Sequence, residues 1–323
     1  MAVVQGVRPR RAGRPGAAGG PGRIGGLRRP ELGRMLFVAL MLAPAFGLVV
    51  VFVLVPLMRG VQFSLFDWNG VAPVMTWVGL ANYVELWTDP AFLQALGRTL
   101  VWWVMHVVLA AGGGLLMAVL INEVRWDRIR SLFRSLAFLP HVLSLAVVGV
   151  IWSQLYHPTV GLLNDALRAV GLEFLTRPWL GEPILALPAV GLASAWQAYG
   201  FYMLIFLAGM QTIDPAQYEA ATIDGANAIQ RFRYVTLPAL HNTISLVLVL
   251  AFVSALKGFG TVWAMTQGGP SRATELAAVY VWRQAFQTGD IGLASAAGLT
   301  IAAIAMTIAF AINRGRDRAA EGR

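Results

Sequence analysis

The sequence contains no cysteine, a single lysine and few charged residues of any kind. The missing cysteines exclude disulfides, thiolate metal ligands and cysteine nucleophiles, and they leave the redox compartment undetermined. Charged residues make up 13% of the chain and hydrophobic residues 57%, whereas soluble domains carry about 25% charged residues. Mean hydropathy is +0.64. This composition predicts a polytopic membrane protein.

Catalytic signatures are missing as well. The lysine, Lys257, follows Leu256, whereas a Walker A loop needs glycine before its lysine so that the backbone can cradle phosphate. ATP hydrolysis by that route is excluded, and energy would come from a partner or an ion gradient. The histidines lie on separate segments without ligand spacing: His106, His141, His157 and His241. We therefore predict no catalytic residue, metal or cofactor, and do not expect an enzyme.

Six apolar runs are long enough to cross a bilayer of ~30 Å, which takes about 20 helical residues. They predict an all-α protein with transmembrane helices at residues 35–57, 99–121, 136–156, 184–210, 243–265 and 291–313. Pro140 and Pro188 predict kinks or breaks beside a pathway, because freed backbone groups need protein or water partners. Gly112 to Gly114 predict the close approach of another helix. The first run is too long for a cleavable signal peptide.

The distribution of positive charge predicts the orientation. With the N-terminus in the cytoplasm, cytoplasmic segments carry 18 of the 25 lysines and arginines, and external loops carry six. The positive-inside rule then places both termini and the loop 211–242 in the cytoplasm. Residues 1–34 and 314–323 are predicted to be cytoplasmic tails, the first of them disordered, around a transmembrane domain of residues 35–313. No aromatic platform accompanies the basic tail, so nucleic-acid binding is not expected.

The loop 211–242 is polar and helix-prone, although it lies between two long apolar runs. Asp214-Pro215 indicates a helix start, Gly225 permits a turn between two helical pieces, and Pro238 ends the second piece. Small alanines would let a short helix lie deep in a groove of another protein, and two carboxylates offer charge to a basic partner. The ordered set resembles the EAA loop of bacterial ABC importer permeases at Glu219, Ala220, Ala221, Asp224, Gly225, Ala226, Leu237 and Pro238.

A second block, residues 259–275, contains Gly268-Gly269-Pro270. It resembles the external loop of carbohydrate-uptake permeases similar to the first maltose-permease subunit, and the likeness covers roughly residues 60–313. The resemblance implies a type I importer permease in a bacterial cell membrane. It also implies a second permease subunit in a heterodimer, two ABC ATPase subunits, and an extracytoplasmic solute-binding protein that meets these three residues.

Sugar recognition would need aromatic faces and neutral hydrogen-bonding groups. The fourth span offers such groups near one face, and the resemblance places cargo-lining positions near Tyr202 and along 251–258. Plain helix packing is the alternative for Trp196 and Tyr199. Lys257 either snorkels to the interface or balances an anionic cargo. The pathway candidates are Trp196, Gln197, Tyr199, Tyr202, Ala251, Ser254, Ala255, Lys257 and Gly258.

Other functions remain open on the sequence alone. A related permease could carry a non-sugar solute such as glycerol phosphate. Permeases for amino acids, phosphate or peptides are disfavoured by the Gly-Gly-Pro block. A gradient-driven transporter would need acidic relay residues within the membrane, and the six runs contain no Asp or Glu. A membrane scaffold would not need the loop 211–242.

Overall fold

A computed structural model describes residues 29–124 and 126–321. Most of the predicted tail, residues 1–28, and the last two residues lie outside the described residues. The chain divides into two units, one ending at Pro56 and the other beginning at Leu57. The first helix, α1, runs through Arg29–Val49, a π-helical stretch Val50–Leu54, and Val55–Phe63. Its apolar side chains are largely exposed, as expected of a helix that faces lipid.

The helices after α1 account for the other five predicted spans. A short helix α2 (Ala81–Thr88) precedes α3 (Pro90–Asn122), α4 (Asp127–Val142) and α5 (Leu145–Leu155). A segment with α6 (Leu162–Ala169) leads to α7 (Pro183–Met210), and α8 (Pro215–Ile223) and α9 (Ala228–Ala239) follow. The chain ends with α10 (His241–Leu256), α11 (Gly260–Thr266), α12 (Ala277–Arg283) and α13 (Ile291–Glu321).

Four of these helices are long and apolar enough to cross a membrane alone: Gly33–Phe63, Pro90–Asn122, Pro183–Met210 and Ile291–Ile312. Two bent pairs could supply further spans, α4 with α5 at 94° and α9 with α10 at 71°. Counting each bent pair as one span gives six in the described residues. The all-α prediction is confirmed.

Two predicted spans are not single helices; the break in the first was predicted from Pro140, whereas the break in the second was not. The run 136–156 is split where Leu143 and Ser144 adopt extended backbone, which confirms the break predicted from Pro140. The run 243–265 is split at residues 257–259. By contrast, Pro188 does not break α7. It lies in the second turn, where only a hydrogen bond to the very start of the helix is lost.

The centre of the second unit is α7, which is buried on most of its surface and packs against α3 and α4. A helix that is apolar all round belongs in the interior. At Gly114 an added Cβ would lie 2.8 Å from the Met203 nitrogen and the Tyr199 oxygen. The close approach predicted for the glycine triplet is therefore confirmed at Gly114. At Gly112 and Gly113 the nearest atoms are 3.6 and 3.9 Å away.

This difference predicts opposite results for neighbouring substitutions. Gly114→Ala should destabilise the protein by about 1–3 kcal/mol, because a new methyl group would push the α7 backbone away. Gly113→Ala fits without displacement and should be neutral or slightly stabilising, because alanine favours helix. Thermal unfolding of the detergent-purified variants measures both. Equal midpoints for the two variants would contradict the packing described here.

The segment after α1 forms a small β-hairpin. Strands β1 (Phe66–Asp67) and β2 (Thr76–Trp77) pair antiparallel, and Asn69 stabilises the turn between them by accepting a hydrogen bond from Ala72 N at its Oδ1 (2.7 Å). Buried Asn82 donates to the Ser64 and Phe66 carbonyl oxygens at 2.9 and 3.0 Å. These bonds anchor α2 beside the strands.

Candidate functional site

A cavity of about 300 Å³ lies where the two helix breaks meet α7. Its lining combines aromatic, hydroxyl, amide and basic side chains with bare backbone: Trp102, His106, His141, Leu145, Ser194, Gln197, Ala198, Phe201, Tyr202, Ser254, Lys257, Gly258, Phe259, Gly260 and Thr261. Non-helical backbone at membrane depth is tolerated where protein buries it or a water-filled cavity meets it. Both breaks fulfil that condition.

Gln197 supplies hydrogen bonds to backbone groups at the first break, between α4 and α5. Its Nε2 donates to the carbonyl oxygens of His141 and Leu143, each at 3.3 Å. These carbonyls lie at the end of α4, where the helix leaves acceptors without partners. Ser144 then caps α5 by accepting a bond from Val147 N at 3.3 Å. The Gln197 amide on α7 thus stabilises the non-helical backbone at this wall of the cavity.

The second break places a basic side chain on the cavity. Lys257 ends α10, and its side chain is exposed. Gly258 follows, and an added Cβ there would come within 2.9 Å of both Trp102 Nε1 and Leu276 Cδ1. Gly258 is therefore a point of close approach between these segments. Glycine at position 258 allows the chain to turn tightly beside Trp102. Lys257, just before this turn, lines the cavity.

A buried polar pair forms another part of the wall. His106 Nδ1 lies 3.2 Å from the Trp102 carbonyl oxygen, and its Nε2 lies 3.2 Å from Ser194 Oγ. A carbonyl can only accept, so Nδ1 carries a proton, and the Ser194 hydroxyl donates to Nε2 of the neutral ring. The Trp102 and His106 rings are 5.0 Å apart. The pair therefore fixes the orientation of both side chains.

The structure brings five of the nine predicted pathway residues to this cavity: Gln197, Tyr202, Ser254, Lys257 and Gly258. The other four lie elsewhere. Trp196 packs edge-on against Trp152 at 5.7 Å, and Tyr199 lines a separate depression beside α3 and α4. Ala251 and Ala255 are buried among core side chains.

Sequence reasoning missed the contributions of α3 and α4, notably Trp102, His106 and His141. The spacing of Trp102 and His106 does place them on one helix face. No feature of the sequence around Trp102 indicates that this face contacts α7, because a single segment does not show which distant helix it packs against.

The loop 211–242 has the predicted form of two helical pieces joined by a glycine turn. Asp214 Oδ1 accepts a bond from Ala216 N at 2.9 Å and caps α8, with Pro215 at the first position. Gly225 has φ +79°. Its N–H donates to the Thr222 oxygen at 3.1 Å, and Ala226 N donates to the Ala221 oxygen at 2.9 Å, which is the Schellman pattern. Asn227 and Gln230 then form a capping box for α9.

One face of this loop is open to solvent. Glu219, Ala220, Asp224 and Gly225 are exposed, Ala221 and Ala226 are half-buried, and Leu237 and Pro238 are exposed at the far end. Exposed apolar side chains also occur on the loop and were not singled out from the sequence: Ile223 is 86% exposed, Ile229 77% and Tyr234 70%. Large apolar side chains without cover on a polar segment indicate a protein-binding surface.

A side-chain bond ties the two pieces of the loop together. The Tyr218 hydroxyl and Thr236 Oγ1 lie 2.9 Å apart, which joins α8 to α9. The Arg231 guanidinium also donates to Thr222 Oγ1 at 3.2 Å. The loop is therefore a connected body rather than two independent helices.

The loop after α11 is organised around a buried carboxylate. Glu275 is 1% exposed and meets Arg272 at 2.7 Å and Arg283 at 3.3 Å. Gly268 is buried with φ +90°, while Gly269 and Pro270 are half-buried. The exposed tip of this loop is Ser271 and Arg272. Contact of Gly268, Gly269 and Pro270 with a binding protein stays a prediction.

Tyr280 fixes α12 to the start of α3. Its hydroxyl donates to Asp89 Oδ2 at 2.6 Å. Burial, with the nearby Asp89 carboxylate, raises the pKa of the Tyr280 phenol, so the donor stays protonated. This hydrogen bond joins α12 to the N-terminus of α3.

Residues 25–318 match the family described as "binding-protein-dependent transport system inner membrane component". The chain belongs to this family. Its sequence is 33% identical over 299 residues to the diacetylchitobiose uptake system permease protein NgcF of Streptomyces coelicolor, covering 89% of this chain and 85% of that protein. It is 32% identical over 250 residues to the lactose transport system permease protein LacF of Rhizobium radiobacter, covering 77% and 83%.

The fold of this inner membrane component is also similar to a solved structure. It matches a chain of a bacterial ABC transporter that imports the acidic polysaccharide alginate, with a TM-score of 0.78 and 26% identity over 90% of this chain and 98% of that chain. The predicted membership among ABC importer permeases and the type I permease fold are confirmed. The protein is a membrane component of a transport system.

Proposed function

We propose that this permease forms the translocation pathway of a carbohydrate importer and that a separate ATPase drives it through the loop 211–242. The main support for this proposal is that two features occur together in one chain. One is a polar and aromatic cavity between broken helices, and the other is a solvent-exposed helical loop with uncovered apolar side chains. Broken helices around a central site are a recurrent arrangement in transporters.

The cavity is suited to a saccharide. Trp102, Phe201 and Tyr202 supply aromatic faces, and Ser254 and Gln197 supply neutral hydrogen-bonding groups. A volume of about 300 Å³ lies at the lower end of small-molecule sites, which span roughly 300–1,000 Å³. Relatives are named for diacetylchitobiose and lactose, and the structural neighbour imports alginate. Carbohydrate is therefore the cargo class that we propose.

The partners follow from the same reasoning. A second permease subunit would complete a heterodimer, two ATPase subunits would bind the loop 211–242, and a solute-binding protein would deliver the cargo. The alginate transporter was solved in complex with a pentasaccharide-bound periplasmic protein, which supports the last of these. The excess of arginine on one side supports cytoplasmic termini and a cytoplasmic loop.

The connectivity suggests how motion would reach the cavity. The loop passes through α9 into α10 at a bend of 71°, and α10 ends at the break that carries Lys257. Because a helix transmits displacement along its axis, movement of α8 and α9 by a closing ATPase would shift the cavity wall at residues 257–260. ATP-driven closure would thus switch the pathway between its two faces.

Purification of the tagged chain from its native membrane in mild detergent, followed by mass spectrometry, tests this function. We expect an ABC ATPase, a second permease and a solute-binding protein to co-purify. A chain that purifies alone, even after crosslinking through residues 219–225, would overturn the proposal and favour a gradient-driven transporter.

A further inference from the structure

The cavity between the two helix breaks carries a lysine side chain. Lys257, the only lysine of the chain, lines it beside His141 and the neutral His106 ring. Among the described residues, no Asp or Glu lines the cavity wall. Within residues 29–124 and 126–321, the ion pairs join arginines to Asp127, Asp165 and Glu275, and none includes Lys257.

The position of Lys257 within an apolar run means that its charge needs a partner of opposite sign. It lies at the break between α10 and α11, within the apolar run 243–265. Ionisable side chains within a membrane protein usually face a cavity and pair with an opposite charge. The six apolar runs of the chain contain no acidic residue, so this chain's own spans do not supply that charge.

The rest of the wall is suited to the neutral part of a sugar. Ser254 lies one helical turn before Lys257 on the same face, and both line the cavity with Tyr202 and Phe259. Hydroxyl groups and an aromatic ring can hold a saccharide ring, while one ammonium group can hold one acidic substituent.

We infer that the cargo is an anionic saccharide, and that Lys257 binds its carboxylate, sulfonate or phosphate group inside the cavity. This inference rests on the proposed function, because it names the class of cargo carried through the same site.

The absence of cysteine permits a direct measurement of charge in the cavity. Ser254→Cys places a single thiol on the wall, and anionic and cationic methanethiosulfonate reagents of similar size then compete for it. The quantity compared is the ratio of the labelling rate of the anionic reagent to that of the cationic reagent. We expect this ratio to be about tenfold higher in Ser254→Cys, which retains Lys257, than in the double variant Ser254→Cys/Lys257→Met. Lys257→Arg is the matched control and should keep the preference.

Protection by defined sugars then tests the cargo class. Glucose, glucuronate and glucose 6-phosphate are added to the Ser254→Cys protein, purified with its partners, before labelling. The acidic sugars should protect at least roughly tenfold better than glucose, as expected where one charge pair is worth about 1.4 kcal/mol. This advantage should vanish in Lys257→Met and persist in Lys257→Arg. Comparison of the two acids distinguishes a carboxylate from a phosphate.

Several outcomes would overturn the inference. Labelling rates that do not change in Lys257→Met would show that Lys257 does not make the cavity cationic. A carboxylate of a partner subunit that neutralised Lys257 would give this result. Equal protection by glucose and the acids would overturn it as well. If Ser254→Cys does not fold, Ala198→Cys reports from the α7 side of the cavity, and Lys257→Gln can replace Lys257→Met. Charge preference in a chain that never captures an ATPase would instead refute the proposed function alone.

Discussion

Gly225→Pro is expected to reduce carbohydrate uptake roughly 10- to 100-fold, the range of a typical coupling free energy between two sites, while the assembled complex still hydrolyses ATP. Gly225 has φ +79°, whereas proline fixes φ near −65°. Proline also removes the N–H that donates to the Thr222 oxygen at 3.1 Å. The turn between α8 and α9 would open, and motion of α8 would no longer reach α10. Uptake and ATP hydrolysis are measured together in proteoliposomes.

Gly171 supplies a matched control. It has φ +77°, its N–H donates to the Arg168 oxygen at 3.0 Å, and no atom of the described residues lies within 4 Å of an added Cβ at either glycine. Gly171 follows α6, far in sequence from the coupling loop, so Gly171→Pro should leave coupling intact. Full uptake in Gly225→Pro, or an equal loss in Gly171→Pro, would contradict the coupling role.

Charge reversal on the same loop provides an independent check. Glu219→Lys on the exposed face of α8 should uncouple transport from hydrolysis, because it would present a cation to the basic partner expected there. Glu219→Gln keeps the shape and should have a smaller effect. Identical kinetics in the wild type and both variants would show that this face does not bind the ATPase.

Arg272→Met combined with Arg283→Met is expected to destabilise the loop after α11 by about 3–5 kcal/mol, the cost of leaving a buried charge unpaired. The Glu275 side chain is 1% exposed, whereas those of Arg272 and Arg283 are 44% and 24% exposed. Removal of the arginines therefore strands a carboxylate away from water. Thermal unfolding and protease sensitivity of the purified protein measure the effect.

The reverse substitution is the control. Glu275→Leu removes the buried charge and leaves two arginines that can reach solvent, so its cost should be smaller than that of the double arginine variant. If Glu275→Leu proves as damaging as the loss of both arginines, the loop depends on the shape of Glu275 rather than on charge pairing.

Features specified by neighbouring residues could be predicted from the sequence. Asp214-Pro215 and Gly225 encode a helix start and a left-handed turn within a few residues, and the structure has both. The break near Pro140 followed from proline in the same way. In these cases the physical cause and its effect lie within one or two helical turns.

Features that depend on how helices rotate against each other could not be predicted. Gly112 to Gly114 are equivalent as a sequence, yet only Gly114 meets the α7 backbone at 2.8 Å. Trp196 and Tyr199 lie on the helix that lines the cavity but face other neighbours. The residues that α3 adds to the wall, Trp102 and His106, required the helix pairing to be known.

The cysteine-free chain permits a direct test of topology and coupling with two single-cysteine variants, Ile223→Cys on α8 and Ser271→Cys at the tip of the loop after α11. Each is labelled with a membrane-impermeant maleimide in intact cells and in inverted vesicles, and then with a maleimide–benzophenone crosslinker. We expect the Ile223→Cys variant to react only in inverted vesicles and to crosslink to the ATPase, while the Ser271→Cys variant reacts only in intact cells. Labelling of both variants from one side, or an Ile223→Cys variant that never captures an ATPase, would contradict the proposed topology and coupling.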